Sequence, residues 1–140
     1  MRIDAFVIPY ADTATPFYAE SQPDQTQYEF VRSFISGMIE PVRLTVGWHV
    51  LQPEMQTPDS VWMYVHEEGK LLGLGINRRA NNLCWHFNRD LLLGGDFIVG
   101  TAVIVGSLDP SGSHSRLTDK QRHKVSEAIL LREATTNKEQ

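Results

Sequence analysis

Residues Phe97 to Val105 read F-I-V-G-T-A-V-I-V, apolar at odd and even positions alike. Successive side chains of a strand point to opposite faces, so a strand of this kind must be covered on both sides. It belongs at the centre of a sheet or in a dimer interface, which leaves a homo-oligomer open. Gly100 is the expected bulge within it. Arg2 to Tyr10 predicts a second such strand, with Ile3, Ala5 and Val7 in one phase and Phe6 and Ile8 in the other. Pro9 lacks a ladder donor and should end its pairing. The β-branched and aromatic run Val61–Val65 (V-W-M-Y-V) predicts a third.

The remaining elements follow from local chemistry. Thr26 and Glu29 have the spacing of a capping box, and Phe30, Val31, Phe34 and Ile35 form one apolar helix face. Gly37 is expected at the left-handed position after that helix. Thr118 and Gln121 repeat the capping-box spacing ahead of Val125, Ala128 and Ile129. Met38 to Trp48 predicts a strand that Pro41 places at a sheet edge or a bulge. Glu67-Glu68-Gly69-Lys70 predicts a hairpin tip, with Gly69 at positive φ and Leu71 to Leu74 returning as a strand. Asn77 to Asp90 has no clear period, and Gly94-Gly95-Asp96 predicts a tight turn. Asp109 to Ser115 predicts a flexible loop, and Ala11 to Pro23 and Gln52 to Ser60 predict connectors. The expected fold is α+β, a mainly antiparallel sheet packed against two short helices. The 140 residues suit one domain over residues 1–132, with a polar tail over 133–140.

Composition removes several function classes. Thirteen Lys and Arg against 17 Asp and Glu give a net charge of −4, which disfavours nucleic-acid binding and is too small for a mimic of DNA. One cysteine excludes an internal disulfide framework and a cysteine-rich zinc site. No apolar run reaches the roughly 18 residues of a membrane span, and Met1-Arg2-Ile3-Asp4 lacks the order of a signal peptide. A cytoplasmic protein without membrane contact is the expectation.

Four blocks carry a family resemblance. They are Gly37-Met38-Ile39-Glu40-Pro41-Val42, Met63-Tyr64-Val65-His66-Glu67-Glu68-Gly69-Lys70-Leu71-Leu72-Gly73-Leu74, Asn77-Arg78-Arg79-Ala80 and Gly94-Gly95-Asp96-Phe97-Ile98-Val99-Gly100-Thr101. In this order they resemble a family of small bacteriophage and mobile-element proteins that carry a domain of unknown function. The resemblance implies expression in the cytoplasm of a bacterial host and transfers no activity. The stretches 11–23 and 50–58 look longer than the connectors of that family.

Candidate chemistry is sparse. The five histidines show no metal-ligand spacing, and no nucleophile elbow is present, so no catalytic residue, metal or cofactor is expected. His66-Glu67-Glu68 reads as a charged hairpin tip that blocks edge pairing. Cys84, beside Trp85 and His86, reads as a small buried hydrophobe. Gly73-x-Gly75 followed by Asn77, Arg78 and Arg79 is the most suggestive patch, because glycines admit an anion to backbone amides and arginines pair with it. Trp85 and Arg89 could extend that patch as a stacking surface. The leading expectation is a non-enzymatic binding protein that engages a host protein, for example a defence or regulatory factor. A module binding a small anionic ligand such as a nucleotide is the alternative, and an enzyme ranks last.

Overall fold

The computed structural model describes residues 2–35, 37, 39–44, 61–87 and 97–127. Five strands form one sheet: β1 (Asp4–Ile8), β2 (Phe17–Glu20), β3 (Ile39–Leu44), β4 (Val61–His66) and β5 (Ala102–Val105). Their order is β2-β1-β5-β4-β3, and every pairing is antiparallel. The helices are α1 (Gln27–Arg32), α2 (Arg78–Phe87) and a segment over 119–127, named α3. The fold is α+β, as the apolar runs require, with three helices among the described residues where the sequence predicts two.

The two strands that are apolar in both phases lie at the centre. All residues of β1 and β5 are buried, and β5 runs between β1 and β4. The alternation of each strand divides the core. Phe6, Ile8, Met63, Val65 and Ile104 face α2 and α3, and pack with Leu83, Cys84, Leu117 and Val125. Ile3, Ala5, Val103 and Val105 face α1, and pack with Phe30, Val31 and Ile35. Each fully buried residue of the α1 stripe contributes about 1.5–3 kcal/mol, which holds a six-residue helix too short to persist alone.

Several expectations change. The 11–23 connector contains β2, which pairs with β1 and stacks Tyr18 on Phe6 with ring centroids 4.7 Å apart. Pro41 does lie in an edge strand, β3. The hairpin at 67–70 does not form, because both sides of β4 are already paired, by β3 and β5. Residues 67–73 form successive turns instead, and Gly73, with φ 68°, takes the positive φ expected of Gly69. Helix α1 ends at Ser33, so Gly37, with φ 111°, does not cap it. The aperiodic stretch after Asn77 is α2, and Ala80, Leu83 and Cys84 form its buried face. The 109–115 loop is an ordered turn, fixed by Asp109 Oδ1, which accepts from Ser111 and Ser113. The predicted 52–60 connector, the 94–96 turn and the 133–140 tail lie outside the described residues.

Candidate functional site

The patch predicted around Asn77 is a structural joint. Asn77 is wholly buried. Its amide nitrogen donates to Ile8 O at 2.8 Å and Gly100 O at 2.9 Å, and its Oδ1 accepts from Ala80 N at 3.0 Å. One side chain thereby ties β1 to the segment entering β5 and caps α2. Asn81 continues the joint one turn on. Its amide both donates to Ile98 O, at 2.9 Å, and accepts from Ile98 N, at 2.8 Å, as a neighbouring strand would. Arg79 is 5% exposed, and its guanidinium donates to the carbonyls of Pro9, Ala11 and Ala14 at 3.0, 2.9 and 2.7 Å. It holds the β1–β2 loop in place and does not present itself to a ligand.

Arg78 points the other way. Its Nε meets Asp12 Oδ2 at 3.3 Å, and neither side chain is buried. The two arginines therefore do not act as a pair, and the partner of Arg78 is Asp12. Gly75 lies under the Tyr10 ring, where a Cβ would come within 2.7 Å of a ring carbon, so the close approach there is by an aromatic face. Trp85 and His86 belong to α2, and Arg89 lies outside the described residues. Cys84 is buried in the core as expected.

An apolar surface surrounds this joint. Tyr10, Leu71, Leu72, Ile76 and Phe97 are exposed, with Leu71 at 88% and Ile76 at 64%. Tyr10 packs over Gly75, Ile76 bridges to Val99, and Lys70 Nζ lies 4.6 Å from the centroid of the Phe97 ring. Tyr10, Ile76 and Phe97 thus lie close together beside Arg78 and Asp12, and Leu71 and Leu72 extend the exposed apolar surface along the 67–73 turns.

A second constellation lies on the α1 face of the sheet, and the sequence pattern did not single it out. Tyr64 projects from β4, and His114 comes from the Asp109 turn. His114 Nδ1 lies 2.8 Å from Gly106 O, and its Nε2 lies 2.7 Å from the Tyr64 hydroxyl. A carbonyl oxygen only accepts, so Nδ1 carries the proton and Nε2 accepts the phenolic O–H. Burial lowers the His114 pKa and raises that of Tyr64, so both groups stay neutral near neutral pH. His114 N donates to Gln27 Oε1 at 2.5 Å, which joins the start of α1 to the turn. Gln27, Tyr28, Val31, Ile39, Tyr64, Gly112 and His114 line a pocket of about 260 Å³. The only sequence signals were the D-x-S-x-S spacing of the turn and the position of Tyr64 in the phase opposite Met63.

Among the described residues, no group of three or more His, Cys, Asp and Glu side chains could hold a metal ion. His66, from the charged tip, accepts from the Glu68 backbone N–H at 3.0 Å through Nδ1 and covers Gly37. No helix of the described residues is long and apolar enough to cross a membrane. A family model described as a domain of unknown function, DUF3846, matches residues 7–130, and the chain belongs to that family. No curated protein and no solved structure matches it.

Proposed function

We propose that this member of the DUF3846 family is a non-enzymatic binding protein of a phage or mobile element that engages a host protein in the bacterial cytoplasm. The observation that supports the reading is the exposed neighbourhood of Tyr10, Leu71, Leu72, Ile76 and Phe97, bordered by Arg78. Clustered exposed apolar side chains mark interaction surfaces, and aromatic and arginine side chains are their usual anchors. The buried Asn77 and Arg79 serve this surface from beneath by fixing the loop and helix that display it.

The experiment is capture of partners from host lysate by tagged wild-type protein and by a Leu71→Ser/Ile76→Ser variant. Both substitutions fall on exposed side chains, so the melting temperature should hardly move. A partner retained by the wild type and lost from the variant supports the reading. Equal capture by both, or no specific partner, overturns it.

A small-anion module is the second reading. The partly exposed Arg78 guanidinium favours it, since its Nη1 has no acceptor among the described residues. A nucleotide at 100 times its dissociation constant would raise stability by about 2.7 kcal/mol. No thermal shift across a nucleotide panel removes this reading.

A further inference from the structure

The pocket at Tyr64 and His114 stands apart from the proposed interaction surface and has a chemistry of its own. We propose that it binds a small neutral heteroaromatic ring carrying an N–H donor beside a carbonyl acceptor. The lining side chains are Gln27, Tyr28, Val31, Ile39, Tyr64 and His114, and no Lys, Arg, Asp or Glu is among them. Arg32, which donates to the Tyr28 hydroxyl at 3.3 Å, is not itself a lining residue; a charged ligand would lose its hydration without a lining counter-charge, so the occupant is neutral. Val31, Ile39 and the Tyr28 ring offer apolar and aromatic contact, which selects a flat ring.

The hydrogen-bonding pattern sets the edge of that ring. The single proton of the Tyr64 hydroxyl goes to His114 Nε2, so its oxygen faces any ligand as an acceptor. Gln27 Oε1 is held by the backbone N–H of His114, so the remaining Gln27 group is the amide –NH₂, a donor. An acceptor and a donor in one pocket complement the N–H and C=O of a cyclic amide. Size agrees, since a cavity of roughly 150 Å³ takes a single benzene ring. A pocket of about 260 Å³ holds a substituted ring.

The test uses the full chain and uracil as the probe, with binding followed by isothermal titration and by the NMR signals of the His114 ring. Uracil should bind, and 1,3-dimethyluracil, which has no N–H, should bind at least tenfold more weakly. Benzoate should bind no better than the dimethyl compound. Tyr64→Phe keeps the ring and removes the acceptor, and should cost uracil roughly tenfold in affinity, the worth of one hydrogen bond. Leu71→Ser should leave uracil binding unchanged, which separates this site from the protein-binding surface. Equal affinity for uracil and its dimethyl derivative, tighter binding of benzoate, or no His114 signal change at about 10 mM uracil overturns the proposal. If Tyr64→Phe does not fold, the three probes on the wild type decide alone.

Discussion

Both polar atoms of the Asn77 side chain are committed to backbone groups, Nδ2 donating twice and Oδ1 accepting once. Aspartate has nearly the same shape but cannot donate to Ile8 O and Gly100 O, and would set a negative charge against both carbonyls. Asn77→Asp should therefore destabilise by about 3 kcal/mol or more, read as a lower urea midpoint at neutral pH. His114 makes stability depend on pH. Unfolded, it titrates near its ordinary value of 6.5; folded, burial holds the pKa lower. Below pH 6.5 the unfolded chain binds a proton that the native ring resists, so the contribution is complete above that value and declines toward the lowered pKa. Wild-type melting temperature should fall more steeply between pH 7 and pH 5 than that of His114→Gln, and equal slopes would exclude this origin. Neither residue was legible as a joint or a dyad. The partners of Asn77 lie at Ile8 and Gly100, and Tyr64 is 50 positions from His114. Sequence spacing carries no information on such contacts.

At the scale of elements, what was legible was local. Both capping boxes form. Thr118 and Gln121 exchange backbone-to-side-chain bonds in both directions, at 2.9 and 3.1 Å. At α1 the exchange is half changed, since Glu29 accepts from the Thr26 hydroxyl and not from its backbone N–H. Helix α2 carried a readable i, i+3, i+4 pattern in Ala80, Leu83 and Cys84, masked by its many Asn, Arg and His residues. The hairpin at 67–70 was misread because a turn signal reports local geometry and not whether a neighbouring sheet position is vacant. The exit of β5 depends on a glycine for a different reason. A Cβ on Gly106 would lie 2.3 Å from Ser115 O, in the segment whose Ser115 N donates to Ser107 O. Gly106→Ala should cost about 2 kcal/mol or more by forcing these backbones apart. It should also weaken the Gly106 contact to His114, visible as a changed imidazole NMR signal in the same variant.

For the whole molecule, the critical clasp joins the first strand to the last helix. Asp4 is 2% exposed; its carboxylate pairs with Arg122 and accepts Leu117 N at 2.7 Å. Arg122 also lies over the Tyr18 ring, 4.5 Å from its centroid, so α3, β1 and β2 meet at one point. Asp4→Ala leaves the buried Leu117 N–H unpaired and Arg122 without its carboxylate. The expected loss is about 3 kcal/mol, with early hydrogen exchange along 117–127, and a loss confined to a few tenths would show the clasp to be incidental. The fold class was legible in the succession of strands and helices, and the buried character of the two doubly apolar strands in their composition, whereas the order of the strands was not.

That order has a temporal consequence. The strand at Asp4–Ile8 finds its inner neighbour only at Ala102–Val105, nearly a hundred residues later. During synthesis β1 can pair with β2 and pack on α1 early, while its Phe6 and Ile8 face and its inner edge stay uncovered until β5 emerges. Contacts so distant along the chain close slowly, and chaperone occupancy of that segment is the natural outcome.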